Sequence, residues 1–406
     1  MVEMAQLMPV SDARQAVLDG AVGLPEEQVA LDQARGRVLA RDLKALRTQP
    51  PDAMSAMDGY AVRAADAVLG AKLRVIGEVA AGRPFGRAVN PGDAVRIFTG
   101  GVVPSGADAV VIQEDTTRDG ETIVVNEASK VGRHVRRAGL DFAEGDVLLR
   151  KGRLLSDRDL ALAAAMNHPA LPVHRKPKVA LLATGDELVM PGGNPVEGQI
   201  VYSSGYALRA LALREGAEVI DLGIARDTLD ATTKPIRAAI AAGADILATT
   251  GGASVGEHDL VKRALEAEGI EIAFWRIAMR PGKPMMHGRR GSLRVLGLPG
   301  NPVSSYVCAT LFLVPLIRAL SGRIDVEPRP IKAVLGRDLA ANDQREDYLR
   351  ATLEERSDGP PIATPLGVQD SSLQANLAFS EALIIRPAHA PAISSGALCD
   401  VLKLPL

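Results

Sequence analysis

The chain has 406 residues, more than one ordinary hydrophobic core accommodates, so length alone predicts about two to four domains. Lysine and arginine total 47 against 49 acidic residues, and this net charge of -2 argues against a dedicated nucleic-acid-binding protein. Aromatic residues make up only 3%, too few for the stacking platforms that bind single strands. The two cysteines, Cys308 and Cys399, exclude a disulfide framework and a CxxC metal site, and they fit a reducing cytosol.

No segment of the sequence indicates a membrane protein. The N-terminal residues are mixed and acidic, and they lack the basic start and apolar core of a signal peptide. The most apolar stretch, Val307 to Ile317, is shorter than a membrane span and is followed by Arg318. We therefore expect a cytoplasmic protein that binds neither membranes nor nucleic acids.

The first part of the chain predicts a β domain inserted into a helical region. Residues 11–45 have the apolar periodicity of a helix, with Ser11 as a suitable N-cap, and residues 154–167 predict a second helical segment. Between them, residues 46–146 contain short β-rich runs separated by Gly, Pro and Asp turns. The clearest runs are Leu73–Val79, Ala94–Phe98, Ala109–Gln113 and Thr122–Val125. The expected domains are thus a helical linker region (1–45 and 147–173) and an inserted β-rich domain (46–146).

Strands and helices alternate over residues 174–326, which predicts βαβ units and a largely parallel sheet. The predicted strands are Lys178–Ala183, Glu218–Leu222, Asp245–Thr250, Glu271–Ile277 and Leu293–Leu298. The predicted helices are Tyr206–Glu215, Leu229–Ala242, Asp259–Glu268 and a long one that begins at Pro302. Residues 327–406 predict a small β domain with strands at Ile331–Leu335, Tyr348–Leu353, Ala382–Arg386 and Ala397–Leu402. The fold class is therefore multidomain, α/β plus β.

Two glycine-containing loops follow predicted strands and precede helices. One contains Gly251 and Gly252, and the other is Pro299-Gly300-Asn301-Pro302. Glycines allow close backbone approach, and a helix N-terminus offers unpaired N–H groups to an anion. Either loop alone is explained by a tight turn or an N-cap. The GxxxxGK(S/T) sequence of Walker-type nucleotide-binding loops is absent. Because ligands bind at the carboxyl ends of parallel strands, the two loops together predict a site for a phosphate-bearing anion.

Acidic and basic residues accompany these loops. Any one of the acids is more often an N-cap or turn residue, but together they suggest Mg²⁺ carried in with a phosphate. The acids near strand ends are Asp186, Glu187, Asp227 and Asp259. Arg280 and Lys283 lie in a loop stiffened by Pro and Gly. A rigid loop is better suited to binding an oxyanion than to carrying charges that contact only solvent.

Eight strings, in one order, resemble the molybdopterin molybdenumtransferases, the MoeA family, to which a domain of animal gephyrin is related. With the segments between and around these strings, the resemblance covers roughly residues 10 to 400. The strings are Ser55–Ala61, Arg96–Gly101, Gly106–Val111, Arg136–Asp141, Thr184–Leu188, Thr250–Gly256, Arg280–Pro284 and Gly297–Ser304.

The resemblance implies an architecture and an activity. It implies a helical linker region, an inserted β domain, an α/β molybdopterin-binding domain (174–326) and a C-terminal β-barrel (327–406). It also implies a homodimer with each active site between subunits. The implied reaction is Mg²⁺-dependent hydrolysis of adenylylated molybdopterin with insertion of molybdate into the dithiolene and release of AMP, and molybdopterin adenylyltransferase is the implied pathway partner.

Site residues follow from the matching strings. The resemblance implies a catalytic set of Asp58, Thr99, Asp141, Glu187, Asp227 and Asp259, with the first three coming from the β domain of one subunit. It implies Mg²⁺ ligands at Asp186, Glu187, Asp227 and Asp259. It implies molybdate contacts at Arg280, Lys283, Arg350 and Ser371, and pterin-phosphate contacts at Gly251, Gly252, Ser254 and Ser304. Asp370 replaces a usual glycine beside Ser371, and Ser204 stands where many members have asparagine.

Two alternatives remain at this point. The competence/damage-inducible family has a similar α/β domain and hydrolyses nicotinamide nucleotides, but the strings Ser55–Tyr60 and Arg136–Asp141 argue against it. A gephyrin-like scaffold would use the dimer only for assembly. The acids at positions 58, 141, 187, 227 and 259 argue against a pure scaffold.

Overall fold

The computed structural model describes residues 7–80, 82–251 and 260–405, with Phe274 and Trp275 as backbone only. Within these residues the buried apolar side chains form separate cores in the linker region, the β domain, the two faces of the α/β sheet and the C-terminal barrel. The predicted class, multidomain α/β plus β, is confirmed.

The helical prediction for residues 11–45 is right only at its start. Helix Val10–Leu18 buries Val10, Ala13 and Val17, which share one helical face and pack into the core of the α/β domain. After Gly20 and Gly23 the chain instead forms the strand Glu26–Ala30, which pairs antiparallel with Ala170–His174. The remaining short elements here are the 3₁₀ turn Leu31–Gln33 and the strand Leu43–Lys44, which pairs with Val147–Leu149.

The second predicted helical segment, residues 154–167, is confirmed as helix Asp157–Ala165. Ser156 caps it, because its hydroxyl accepts a hydrogen bond from the backbone N–H of Asp159 while the Asp159 carboxylate accepts one from the N–H of Ser156. One face of this helix packs against the paired strands Glu26–Ala30 and Ala170–His174 in the core of the linker region. The linker region is thus a mixture of helix and strand rather than a helical unit.

The inserted domain is a six-stranded sheet, and all four predicted strands are present. In spatial order its strands are Ala109–Ile112, Gly59–Val62, Asp93–Ile97, Lys72–Val79, Thr122–Val125 and Thr116–Asp119. A further short pair, Met54–Ser55 with Val135–Arg136, lies beside it, and the 3₁₀ turn Gln113–Asp115 connects two of its strands. This short pair brings two of the family strings together.

The α/β domain is built on a six-stranded mixed sheet. In spatial order its strands are Glu218–Ala225, Lys178–Thr184, Ile246–Thr250, Leu293–Leu298, Pro284–Arg290 and Glu271–Arg276. All neighbours are parallel except around Pro284–Arg290, a strand that the sequence did not predict and that runs antiparallel to both neighbours. The flanking helices are Ser204–Arg214, Leu229–Ala241 and Leu260–Ala267, and the short strands Leu188–Val189 and Ile200–Val201 pair above the sheet.

The helix that begins at Pro302 runs to Leu320 and contains a π-helical turn at Ala309–Leu313 between α-helical Pro302–Cys308 and Val314–Leu320. By length and composition it is the one helix among the described residues that is apolar enough to cross a membrane. However, 83% of its apolar window is buried against the sheet and the first helix. It is therefore the central core helix of this domain.

The C-terminal region is a closed five-stranded barrel. Its strands are Ile331–Leu335, Glu346–Glu354, Ile362–Pro365, Ala382–Arg386 and Leu398–Lys403. Four of them were predicted, whereas Ile362–Pro365 and the short helix Gln374–Ala378 were not. The short strand Met279–Arg280 of the α/β domain pairs with Glu346 and Asp347, which fastens the barrel to the sheet domain.

Candidate functional site

A cleft of about 800 Å³ lies at the carboxyl edge of the α/β sheet. Three adjacent parallel strands end there in register, with Ala183 opposite Thr250 and Thr250 opposite Leu298. The loops after these strands form one wall, and Ser372 and Gln374 of the C-terminal region form part of the other. Of the predicted site residues, Glu187, Gly251 and Ser304 line this cleft.

Gly251 has a structural reason to be glycine. Its φ is +85°, and a side chain there would overlap the carbonyl oxygen of Thr184 on the neighbouring strand. Gly300 lies close by, since a Cβ on Gly300 would make an ordinary van der Waals contact of 3.5 Å with the Gly251 Cα atom. The two predicted glycine loops therefore meet at one edge. The Thr184 hydroxyl, also at this edge, is buried without a hydrogen-bond partner among the described residues.

The N-terminus of the core helix faces the cleft and is held by the C-terminal region. Asn301 precedes the helix, but its side chain does not cap it. Instead Asn301 Nδ2 donates to Ser371 Oγ over 3.0 Å, and the Val303 N–H donates to the Ser371 carbonyl oxygen over 3.2 Å. Ser304, which is 5% exposed, lies one residue further along the helix. The predicted phosphate residue Ser304 and the predicted molybdate residue Ser371 thus belong to one neighbourhood.

Sequence reasoning missed Gln374 as part of this wall. Its Nε2 donates to Ser203 Oγ over 2.7 Å, which joins the C-terminal segment to the start of helix Ser204–Arg214. The only sequence signal was the polar string around Ser371, which does not by itself indicate what it packs against.

Two of the predicted metal ligands are paired across adjacent strands. The Asp186 N–H donates to Asp227 Oδ2 over 3.4 Å, and the Asp227 N–H donates to Asp186 Oδ1 over 3.3 Å. The Glu187 carboxylate lies against Gly185, next to this pair. No three metal-binding side chains converge within residues 7–80, 82–251 and 260–405. The predicted site residues Gly252, Ser254 and Asp259 lie outside the described residues.

The two cations of the loop after Arg276 differ in their surroundings. Arg280 forms a two-point ion pair with the buried carboxylate of Asp347, in which Nε donates to Oδ1 over 2.9 Å. Its charge is therefore already matched by a carboxylate on the barrel, a contact that no sequence pattern predicts. Lys283 is exposed, and it forms no ion pair with any described residue.

Arg350 is a buried cation without a carboxylate partner among the described residues. Its side chain is only 1% exposed, its Nη2 donates to the Asp370 carbonyl oxygen over 3.1 Å, and its Nε has no partner there. Burial lowers the pKa of the guanidinium, which the negative charge of Asp370 opposes. Buried charges are normally paired, so the positive charge of Arg350 stands out among the described residues as one without a counter-charge in contact.

Asp370 does not supply that missing partner. Its Oδ1 accepts hydrogen bonds from the hydroxyl and the N–H of Ser372, over 2.6 and 2.8 Å. These two bonds lower the pKa of Asp370, with a smaller contribution from Arg350. The carboxylate that departs from the family glycine is therefore satisfied locally.

The predicted β-domain residues make up the second group of site residues, of which Asp58 and Thr99 contact each other. Asp58 Oδ1 accepts from the Thr99 N–H over 2.7 Å and from the Thr99 hydroxyl over 2.8 Å, and these bonds lower the pKa of Asp58. Asp141 is exposed, and its N–H donates to the Gln49 carbonyl oxygen over 3.0 Å. Among the described residues, no hydrogen bond or ion pair joins this group to the acids at the sheet edge.

Comparison with known proteins identifies the family of this chain. The N-terminal region of MoeA (domains I and II) matches residues 8–167, a probable molybdopterin-binding domain matches 180–319, and the C-terminal region of MoeA (domain IV) matches 332–404. A molybdopterin molybdenumtransferase of Nostoc is 37% identical over 389 residues, which are 94% of this chain and 89% of the relative. This chain belongs to the molybdopterin molybdenumtransferase family.

Other relatives of the family agree over nearly the whole length. The molybdopterin molybdenumtransferase of Haemophilus influenzae is 36% identical, covering 91% of this chain and 92% of its own. The crystal structure of a molybdopterin biosynthesis MoeA protein from Pyrococcus horikosii superposes with a TM-score of 0.85 at 31% identity, covering 98% of this chain and 99% of that one. As a member of this family, the chain is a transferase of molybdenum cofactor biosynthesis.

Proposed function

We propose that this transferase hydrolyses adenylylated molybdopterin in a Mg²⁺-dependent step, inserts molybdate into the dithiolene and releases AMP. The observation that supports it most is that two anion-binding features adjoin each other, one in the cleft and one beside it. One is the N-terminus of the core helix, near Ser304, with the glycine loops beside it. The other is the Ser371 segment, in which the Asp370 carbonyl oxygen accepts a hydrogen bond from Arg350, a guanidinium without an ion-pair partner among the described residues.

The donor set at the sheet edge fits Mg²⁺. Carboxylate oxygens are the ligands this ion prefers, and it is commonly held by one or two of them together with water and substrate phosphates. Asp186 and Asp227 are exposed and are held together by their reciprocal hydrogen bonds, and Glu187 lies beside them. When bound, the ion would neutralise phosphate charge. We assign it to Asp186, Glu187, Asp227 and, outside the described residues, Asp259.

Molybdate is a tetrahedral dianion, and we assign its binding mainly to Arg350, Lys283 and Ser371. Arg350 supplies a buried charge, Lys283 an exposed charge without an ion-pair partner among the described residues, and Ser371 a hydroxyl. Arg280 belongs to the predicted set, but two of its three guanidinium nitrogens already bond to Asp347, so much of its charge is compensated there. The pterin phosphates are assigned to Gly251 and Ser304, with Gly252 and Ser254 outside the described residues.

We also propose a homodimer in which each site combines two chains. Asp58 is half-buried, Thr99 and Asp141 are exposed, and none of the three forms a hydrogen bond or ion pair with the sheet-edge acids among the described residues. The side chains of Met57, Phe98 and Leu140 beside them are apolar and exposed. The expected solution mass at micromolar concentration is that of two chains. A strictly monomeric mass with full activity would contradict the shared site.

The cellular setting follows the proposed reaction. The substrate is supplied by molybdopterin adenylyltransferase, and the product is the completed molybdenum cofactor. We place the protein in the cytoplasm, and we assign it no nucleic-acid or membrane partner.

The proposed hydrolysis is tested by following AMP release from adenylylated molybdopterin. We expect AMP release in the presence of Mg²⁺ and molybdate. Release should stop when a chelator removes Mg²⁺ and should recover when Mg²⁺ is restored. The Glu187→Gln variant keeps the volume of the side chain but removes its charge, so it should release little AMP while retaining its circular dichroism spectrum. Mg²⁺-independent release at an undiminished rate would refute the metal assignment.

A further inference from the structure

Gln369 lies in the segment that carries Ser371, and its side chain extends the barrel sheet by one residue. The strand Ile362–Pro365 pairs with the strand that contains Arg350 and then ends. Beyond that end, the Gln369 side-chain amide takes the place of a strand residue. The Arg350 N–H donates to Gln369 Oε1 over 2.9 Å, and Gln369 Nε2 donates to the Arg350 carbonyl oxygen over 2.9 Å. Both backbone groups of Arg350 are therefore bonded to one side chain.

The same amide fixes the beginning of the Ser371 segment. Gln369 Nε2 also donates to the Leu366 carbonyl oxygen over 2.9 Å, which closes the turn that follows the strand. The next two residues contact the rest of the site, since the Asp370 carbonyl oxygen accepts from Arg350 Nη2 and the Ser371 hydroxyl accepts from the residue that precedes the core helix. Three consecutive residues thus contact, in order, the backbone of Arg350, its guanidinium and the start of the core helix.

Position 369 needs a side chain that donates and accepts hydrogen bonds at the same time. A primary amide does both, whereas a carboxylate only accepts. A glutamate at this position would face the carbonyl oxygens of Leu366 and Arg350 without a hydrogen to share. It would also bring a negative charge into the segment that contacts the buried guanidinium of Arg350. The amide makes the contacts and adds no charge that competes with an anion.

We propose that Gln369 is a positioning residue for oxyanion binding, which holds the Ser371 hydroxyl at a fixed place relative to the Arg350 guanidinium. The inference rests on the proposed function, in which molybdate binds these two groups. Because the Ser371 hydroxyl accepts from Asn301, its own hydrogen is left for the anion. Donors that are held in place before binding lose less conformational freedom when the anion arrives. Loss of the amide should therefore weaken molybdate binding although both donors remain.

Molybdate titrations of the full-length protein test this role with two variants. Gln369→Met keeps the length of the side chain without its hydrogen bonds, and Gln369→Glu replaces the donor with a charged acceptor. Calorimetry should show molybdate binding roughly tenfold weaker in Gln369→Met and weaker still in Gln369→Glu. In cofactor formation at saturating pterin, the half-saturating molybdate concentration should rise by the same factor. A loss of folded protein would instead lower the rate at every molybdate concentration and leave the half-saturating concentration unchanged.

Asn376→Ala is the matched control. Asn376 Nδ2 donates to the Val368 carbonyl oxygen over 2.9 Å, so it holds the same segment without a hydrogen bond to Arg350 or Ser371. Its replacement should leave the molybdate affinity unchanged. Equal losses of affinity in Asn376→Ala and Gln369→Met would show that the folding of the segment, rather than the amide contact, sets the affinity, and this result would overturn the proposal.

Hydrogen exchange of the wild type provides a test that needs no variant. Release of the Gln369 side chain frees the Arg350 N–H and separates the two donors, so bound molybdate should slow the exchange of that N–H. Unchanged exchange at saturating molybdate, or wild-type molybdate affinity in both Gln369 variants, would overturn the proposal.

Arg350→Met, titrated alongside, separates this inference from the proposed function. If Arg350→Met binds molybdate weakly but the Gln369 variants bind it normally, the positioning role fails and the assigned molybdate site stands. If all of these variants bind molybdate normally, the assigned site fails as well. If the Gln369 variants weaken molybdate binding but the wild type transfers no molybdenum to the pterin, the proposed reaction fails and Gln369 remains a positioning residue of an oxyanion site.

Discussion

Replacing Arg350 with methionine should separate the molybdate affinity of the protein from its stability. The wild-type guanidinium is buried, makes one hydrogen bond to the Asp370 carbonyl and has no ion-pair partner among the described residues. Exchanging such a buried charge for an apolar side chain of similar volume is often neutral or stabilising. We therefore expect Arg350→Met without molybdate to unfold at a denaturant concentration close to or above that of the wild type.

Molybdate should then stabilise the variant much less than the wild type. A lost charge-assisted hydrogen bond of about 1.5–3 kcal/mol weakens binding by about tenfold to a hundredfold. At a molybdate concentration about 100 times the wild-type Kd, linkage gives the wild type about 2.7 kcal/mol of added stability. At that same concentration, the weakened variant retains only about 0.4–1.4 kcal/mol. Urea unfolding with and without molybdate measures both quantities on the same samples.

Arg345→Met is the matched control for this prediction. Arg345 lies at the start of the same barrel segment, but its guanidinium is paired with Asp343 through two hydrogen bonds. Its replacement should leave the molybdate-dependent stabilisation unchanged. If Arg350→Met shows the full wild-type stabilisation by molybdate, the buried guanidinium is not a molybdate donor and the oxyanion site lies elsewhere.

Three further substitutions test other parts of the site. Asp227→Asn should abolish Mg²⁺-dependent AMP release with no change in circular dichroism, and near-normal release would remove this residue from the metal site. Gly251→Ala should lower the free energy of unfolding by about 1–3 kcal/mol in urea titrations, because a side chain at φ +85° is strained and overlaps Thr184; unchanged stability would show that the loop adapts. Thr99→Val removes one of the two hydrogen bonds that lower the pKa of Asp58, so the carboxylate should titrate at higher pH by NMR. The acid limb of the activity should move to higher pH with it, and an unmoved titration would contradict the assigned cause.

The alternation of strands and helices in the α/β domain was predictable because both faces of its sheet are covered. The strands Lys178–Thr184 and Ile246–Thr250 are buried along almost their whole length, so they appear in the sequence as continuous apolar runs. The strand Pro284–Arg290 escaped prediction because it contains a histidine, a glycine and two arginines. Its position between two other strands, rather than its local sequence, makes it a strand.

Long-range strand pairing accounts for the main error, which is the helical prediction for residues 11–45. Residues 19–45 are rich in Ala, Leu, Gln, Glu and Arg, which favour helices, and their periodicity supports the same interpretation. The strand Glu26–Ala30 exists because it pairs with Ala170–His174, far along the chain, and no local pattern reveals that partner. Tertiary context overrides helix propensity here.

In the candidate site, too, the features set by the order of strands and loops were predictable, whereas those set by contacts between domains were not. The sequence predicted that Gly251, Ser304 and the acids would gather at one sheet edge, because parallel strands end together. It did not predict that Arg280 would be paired with Asp347, since that contact depends on how the barrel is fastened to the sheet domain. The assignment of Arg350 came from the family resemblance, and only the structure shows it to be a buried cation.

Transfer of molybdenum to the pterin tests the central proposal most directly. The purified protein is incubated with adenylylated molybdopterin, Mg²⁺ and molybdate, and the completed cofactor is assayed by activation of an apo-molybdoenzyme while AMP is quantified. We predict that cofactor and AMP appear in equal amounts, that both depend on Mg²⁺, and that cofactor formation depends on molybdate. Cofactor formation from molybdopterin without adenylylation at the same rate and molybdate concentration, or AMP release without any molybdenum transfer, would contradict the account.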